Sequence, residues 1–405
     1  MAVSGGPRAP SIRIRMYRVG FGDCFLVSFP DDNHVLVDCG VHVRGDIGTL
    51  RPVLDDIASE TNGRLALIIA SHAHEDHISG FLRGEDLFRT FEIGEIWLPW
   101  TEDKEDALAR TLRQRRAEVT AALEQHFAMD QGAPDVMAVV ANAAAAGRNS
   151  RALENLRAGF GTGARVRYVE AGLPIDRPGG VAGLRIRPLG PPRDEASLGR
   201  MNPPKPERYF RAAARGAEAR DTPRPFGPEH EAGPGDPGPR LDERQRREIV
   251  RATELSPEAL AFALDRAINN TSLVLLFTYR GRSLLFAGDA QFGAWKSWLD
   301  DKGTADALAG LSFYKVAHHG SENATPRSAL EEMPTGEFVA MMSTQSHPWP
   351  SIPYGKLSTA LERQTGGRVL RSDSIPVADA PEGPPLALPP DFTEGRLWID
   401  YHLPL

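Results

Sequence analysis

Cysteine is nearly absent from this chain: only Cys24 and Cys39 occur among 405 residues. A disulfide-stapled framework is thereby excluded. Both thiols sit in apolar, strand-like segments and read as buried, reduced groups of a cytosolic protein. A bridge between neighbouring strands stays geometrically open. Long apolar runs are missing as well. Nothing approaches the ~18 residues of a membrane span, and the N-terminal stretch Met1–Pro7 has no apolar signal core. The expectation is a soluble, cytoplasmic protein with no membrane partner. Excess positive charge is the third absence: 47 Lys and Arg face 54 Asp and Glu, a formal charge of −7. No overall basic field holds nucleic acid, although a local basic groove would suffice. No internal repeat of short period and no dedicated nucleic-acid domain is visible. The remaining composition, 41% hydrophobic and 25% charged, is ordinary and allows a sizeable core. The length suits two average domains or one α/β sandwich with insertions.

Histidine, by contrast, is concentrated. Ser71-His72-Ala73-His74-Glu75-Asp76-His77-Ile78-Ser79-Gly80 places three histidines and an aspartate within six positions. The stretch follows Leu65-Ala66-Leu67-Ile68-Ile69-Ala70, a short unbroken apolar run that reads as a buried strand. Ligands on a loop at a strand's end are held rigidly yet stay open to substrate. Imidazole and carboxylate donors without thiolate suit zinc, manganese or iron. In this spacing His72 and His74 can grip one metal while Asp76 and His77 grip a second.

The rest of the chain alternates strands and helices. Ile12, Ile14 and Met16 alternate with Arg13, Arg15 and Tyr17, the period of a half-exposed strand. Gly20 and Gly22 make a tight turn before Asp23 and a second strand, and a hairpin at Pro30–Asn33 leads to a third, Val35–Asp38. Leu50, Val53, Leu54 and Ile57 have helical spacing, and Phe91–Pro99 is another strand. Residues 103–159 read as two surface helices broken at Gly132-Ala133-Pro134. Arg165–Val169 and Leu184–Arg187 are expected in the second half of the sheet. Residues 190–243 are dense in Pro, Gly, Ala and Arg, which predicts a flexible insertion that splits the fold without forming a domain. Its Arg193, Arg200, Lys205, Arg208, Arg211 and Arg215 read as a solvated linker before an anion site. Helical periodicity follows over Asp242–Ile268, then strands at Leu273–Phe277 and Leu284–Ala287. A helix over Gly355–Gln364 and strands at Arg368–Leu370 and Leu397–His402 end the chain.

The motif order resembles the metallo-β-lactamase superfamily. The HAHEDH loop is joined by Val19-Gly20-Phe21-Gly22-Asp23-Cys24, by Val35-Leu36-Val37-Asp38-Cys39-Gly40, by Leu284-Leu285-Phe286-Ala287-Gly288-Asp289-Ala290, and by Phe313-Tyr314-Lys315-Val316-Ala317-His318-His319-Gly320-Ser321. Together these resemble its ComEC-like branch, named for the nuclease domain of competence DNA channels and also containing soluble hydrolases and choline-phosphate esterases. The resemblance implies an αβ/βα four-layer sandwich with a Pro/Gly-rich insertion, a single domain over residues 12–405. It implies two divalent metal ions, zinc or manganese, with Asp289 as the bridge.

Under that resemblance His72 and His74 hold one metal, Asp76 and His77 the other, and His319 completes the second site. His318 then faces the substrate phosphate or donates a proton, since adjacent residues point apart. Asp76 orients the attacking water or takes its proton. Asp38 is expected to hydrogen-bond a ligand histidine and fix its tautomer. Ser321, Asn323 and the amides after Gly320 offer an anion site if a helix starts there. His347 stands where a glycine-histidine-proline motif is common, with Ser346 replacing the glycine. The usual third histidine of the first site is missing: only His126 and His230 lie in the interval, neither at a strand end, so an oxygen ligand such as Glu102 could substitute. The expected activity is a phosphodiesterase or nuclease on a DNA or RNA substrate. The alternatives are a small-molecule hydrolase acting on a choline-phosphate-type ester, cyclic nucleotide or lactone, and a non-catalytic partner module; no protein partner is evident.

Overall fold

A computed structural model describes residues 10–115, 117–118, 146–200, 203–209, 268–375 and 388–405. Two mixed sheets form its frame. The first runs, in spatial order, β14 (Phe392–Glu394), β15 (Trp398–Pro404), β1 (Ser11–Tyr17), β2 (Cys24–Phe29), β3 (Asn33–Cys39), β4 (Arg64–Ile69), β5 (Glu92–Pro99) and β6 (Arg165–Val169). The second runs β13 (Val369–Arg371), β12 (Val339–Met342), β11 (Leu311–Lys315), β10 (Arg282–Phe286), β9 (Val274–Tyr279), β8 (Leu184–Gly190) and β7 (Ile175–Asp176). Each sheet has an antiparallel half and a parallel half. In the first, β2 and β3 pair antiparallel before β4 and β5 continue in parallel. In the second, β9 and β10 pair antiparallel before β11 and β12 continue in parallel.

Three apolar clusters show why the sheets stack. Between them lie Ile14, Phe25, Trp97, Phe277, Phe286, Phe313 and Tyr401, the inward faces of both. On the outer face of the first sheet, Leu36, Ile68 and Ile96 meet Leu54 and Ile57 of the helix Leu50–Thr61 and Leu153 and Leu156 of the helix Ala146–Arg157. On the outer face of the second, Leu285, Tyr314 and Met342 meet Trp295 and Trp298 of the helix Phe292–Leu299 and Leu357 and Leu361 of the helix Gly355–Thr365. Helix, sheet, sheet, helix is the metallo-β-lactamase α/β sandwich. Among the described residues no helix is long and apolar enough to cross a membrane.

Several expectations change. β6 joins the first sheet, parallel to β5, and only β8 belongs to the second. The first strand is not half-exposed. Arg15 is buried, its guanidinium bonded to Asp400 at 2.7 and 2.8 Å and stacked over Trp398 at 3.7 Å. The start of the expected flexible insertion is packed: Arg200 O accepts from Gly293 N at 2.7 Å, and Glu207 takes Ser328 N at 3.1 Å. Arg193 pairs with Asp106 at 2.7 Å and lies over Trp100 at 4.5 Å, and Arg200 lies over Phe292 at 4.8 Å. These arginines are thereby committed to intramolecular partners. Arg211, Arg215, the break at 132–134 and the helical stretch before Ile268 lie outside the described residues.

Candidate metal centre

Every candidate ligand comes from the loop beyond a strand's carboxyl end, where open α/β sheets place their ligands. Asp38 is the penultimate residue of β3, the HAHEDH loop follows β4, Asp289 follows β10, and the histidine pair follows β11. The backbone is forced at two of these places. His318 (φ 44°) and His319 (φ 52°) are consecutive left-handed residues ahead of Gly320, a conformation costing roughly 1–2 kcal/mol per non-glycine residue. Such strain persists where the surroundings over-determine it. It aims the two rings apart. The other is the close approach of β3's end to the metal loop: a Cβ on Gly40 would lie 2.5 Å from His77 N, and one on Gly22 2.7 Å from Asp76 O.

The structure brings Asp76, His77, Asp289 and His319 together, with one donor atom of each within 4.8 Å of the others. His319 Nε2 lies 3.1 Å from Asp76 Oδ2 and 3.4 Å from Asp289 Oδ2. His77 Nε2 lies 3.2 Å from Asp289 Oδ1, yet both atoms are buried and make no hydrogen bond. Two facing polar atoms left without a hydrogen bond suit a cation between them. The donor set of two imidazoles and two carboxylates fits a divalent transition metal. His72 Nε2 and His74 Nδ1 lie 3.0 Å apart beside this group, so the pair can face one ion.

The far nitrogens are fixed from behind. His77 Nδ1 donates to Asp38 Oδ2 at 2.9 Å, and His319 Nδ1 donates to the Ser343 carbonyl at 2.9 Å. Ser71 Oγ donates to Asp38 Oδ2 at 2.7 Å and so accepts from His72 Nδ1 at 3.0 Å. Each bond leaves Nε2 facing the centre, the arrangement that orients metal-ligating imidazoles. Asp38 therefore reaches two of the histidines, one directly and one through Ser71.

Electrostatically the cluster calls for positive charge. Burial by itself disfavours an imidazolium, but Asp289, Asp38, Asp23 and Asp76 outweigh it and hold His77 well above its ordinary value. The same contest, with Asp289 and Asp76 prevailing, raises His319 to about 10. Burial pushes the carboxyls of Asp76 and Asp289 up, yet His77 and His319 bring both well below the carboxylate range. His72, buried beside His77 and His74, is depressed and neutral.

His318 stands at the open edge of the centre, with Nε2 4.0 Å from Asp289 Oδ2. Ser321 Oγ donates to Asn323 Oδ1 at 2.8 Å and accepts from His318 Nδ1 at 2.8 Å. Asn269 Nδ2 reaches His318 Nε2 at 3.3 Å. Burial lowers His318 to about 4, so the ring is neutral at pH 7 and presents an acceptor rather than a proton. Other expected groups sit differently. No helix starts at Ser321; the next one spans Arg327–Glu332, and Ser321 and Asn323 hold His318 instead. Glu102 is buried against Arg157 at 2.7 Å, which commits its carboxylate to that ion pair. His347 is exposed, its carbonyl accepting from Gln345 at 3.0 Å. His126 and His230 lie outside the described residues.

Two further charged residues belong to the centre. Lys315 is buried against Asp23, 3.7 Å from Asp289 Oδ1, and donates to the Gly288 carbonyl at 3.1 Å. Asp23 Oδ1 lies 3.6 Å from His319 Nδ1 and Oδ2 lies 3.5 Å from His77 Nδ1. The signal for Lys315 was a single cation inside the apolar strand Leu311–Lys315; for Asp23 it was a carboxylate directly after Gly-Phe-Gly.

A buried carboxylate–imidazole cluster at the strand ends of an α/β sandwich defines a metal-dependent hydrolase. Residues 17–89 match the family described as the Metallo-beta-lactamase superfamily, a segment holding Asp23, Asp38 and all of His72, His74, Asp76 and His77. Sandwich, cluster and match together support that superfamily. No curated protein matches the chain.

Proposed function

We propose that the protein is a dinuclear metal-dependent phosphodiesterase of the ComEC-like branch, acting on nucleic acid or its fragments. The observation that carries this reading is the convergence of Asp76, His77, Asp289 and His319 within 4.8 Å, with His72 and His74 paired alongside. Bound metal would supply an activated water at neutral pH and neutralise charge at a phosphoryl centre. Asp289, 3.2 Å from His77 Nε2 and 3.4 Å from His319 Nε2, would be the ligand shared by the two metal sites. Asp38, Ser71 and the Ser343 carbonyl hold His77, His72 and His319 in the tautomer that offers Nε2. Asp76, kept ionised by His77 and His319, would orient a metal-activated water. His318, held by Ser321 and Asn269, stands at the open edge, where its neutral ring takes up a proton rather than donating to phosphate oxygens. Six histidine and carboxylate donors favour zinc or manganese, and the short nitrogen set of the first site tilts the choice toward manganese.

The full-length protein loaded with manganese or zinc should hydrolyse bis(p-nitrophenyl) phosphate and single-stranded or plasmid DNA. Turnover of a lactone or a choline-phosphate ester, with none of these diesters, would transfer the assignment to a small-molecule hydrolase.

A further inference from the structure

Beside His319 the wall of the centre changes from carboxylates to rings. Phe21 lies 4.4 Å from the His319 ring and 4.6 Å from the Trp349 indole, and His42 lies 4.9 Å from that indole. Phe21 and His42 are inclined at 60° and 62° to Trp349, so neither stacks face to face on it. Both are buried, whereas Trp349 is only half-buried. Laid end to end, the two Phe21 distances put the indole within about 9 Å of the His319 ring. Val43, next to His42, is 52% exposed, and its amide reaches Glu75 Oε2 of the metal loop at 3.3 Å. An apolar edge is therefore left in water at the lip of a polar centre.

The ledge is built rather than incidental. Phe21 N donates to Gly45 O at 3.1 Å and His42 N to Phe21 O at 2.8 Å, joining the two loops that carry the rings. Gln345 Nε2 donates to Gly45 O at 3.3 Å and to His347 O at 3.0 Å, tying in the loop that carries Trp349. A braced, half-buried indole on which neither neighbour lies face to face suits a flat ring. A quaternary ammonium instead favours enclosure by several ring faces. We propose that Trp349, supported by Phe21, His42 and Val43, is a stacking subsite for a nucleobase attached to the phosphodiester cleaved at the metal centre. The proposal rests on the phosphodiesterase reading and narrows its substrates to nucleotides with exposed bases, since a base paired within a duplex offers no free face.

The test uses metal-loaded full-length protein with dithymidine monophosphate and an analogue that keeps both sugars and the phosphodiester but lacks both bases. Wild-type protein should show a KM roughly tenfold lower for the base-bearing diester, with similar kcat. Trp349→Ala should remove that difference at unchanged metal content, and Trp349→Phe should restore part of it. Calorimetric binding of thymidine 5′-monophosphate against deoxyribose 5-phosphate reads the same contact without turnover. Equal KM values for the two diesters in wild type, or a difference that survives Trp349→Ala, overturn the subsite. If neither diester is cleaved, the phosphodiesterase reading fails, and the binding pair still decides the ledge: preference for the thymidine compound that depends on Trp349 supports it, and equal binding overturns it.

Discussion

At the scale of single residues, the ligand set was legible because its spacing is local: His72, His74, Asp76 and His77 occupy one loop, and the short motifs around Asp289 and His319 mark strand ends. Their roles differ enough to be separated. Asp289→Ala should abolish hydrolysis and lower metal content at both sites together, because the Asp289 carboxylate faces the Nε2 atoms of both His77 and His319. His319→Ala should chiefly lose metal. His318→Ala should keep its metal while turnover falls roughly 10²–10⁴-fold, the range for a positioned acid–base group. Elemental analysis and diester turnover on the same preparations check all three, and loss of metal from His318→Ala would make that ring a ligand. Lys315 and Asp23 were not assigned roles from sequence, since their meeting depends on β11 and the turn before β2 facing each other in space. Replacing Lys315 with methionine strands Asp23 in the interior. Denaturant unfolding should show a loss of roughly 3–5 kcal/mol, the usual result of removing one partner of a buried pair.

At the scale of elements, long periodic segments were readable and sheet membership was not. The stripe Leu50, Val53, Leu54 and Ile57 did become a helix, ended by left-handed Asn62. β12 was missed because four buried residues, Val339–Met342, carry no alternation that separates a strand from any other apolar run. β6 and β8, expected together in the second half of the sheet, fall in different sheets because hydrophobic period reports which face is buried and says nothing about the neighbouring strand. The condition for an anion site at Ser321, a helix starting there, is not met for a local reason: the chain is still leaving the left-handed turn at His318–Gly320 and is occupied in holding the His318 ring. Element packing also sets how the metal loop approaches β3. Gly40→Ala would press a methyl against His77 N. Overpacking of this kind costs about 1–3 kcal/mol. We expect a lower melting temperature and weaker metal retention against chelator, with the helix content seen by circular dichroism unchanged. An unaltered chelator response would show that the loop has room to yield.

At the scale of the whole molecule, the two sheets are held together at this end by opposite charge, and protons compete with metal for that role. The first sheet supplies Asp23, Asp38, Asp76 and His77, and the second supplies Asp289, Lys315 and His319. Without metal, protonated His77 and His319 offset the carboxylates between the sheets. His319 has an ordinary value of 6.5 and is raised to about 10 in the fold. A raised histidine stabilises the folded state fully below its unfolded value, and that contribution is lost as pH climbs through the folded value. Metal-free protein should therefore unfold more easily as pH rises from about 6.5 toward 10, with His77, also raised, acting in the same direction. Metal uptake runs the opposite way, because an imidazole must shed its proton to become a ligand. Each proton displaced makes apparent affinity rise roughly tenfold per pH unit across the same window. Thermal unfolding of metal-free and metal-loaded protein from pH 6 to 10, with calorimetry in buffers of different ionisation enthalpy to count released protons, measures both trends. Melting curves that diverge with rising pH, together with at least one proton released near neutral pH, are the expected result. Binding without proton release would mean that His77 and His319 are already neutral, and that Lys315 alone offsets the carboxylates before metal arrives.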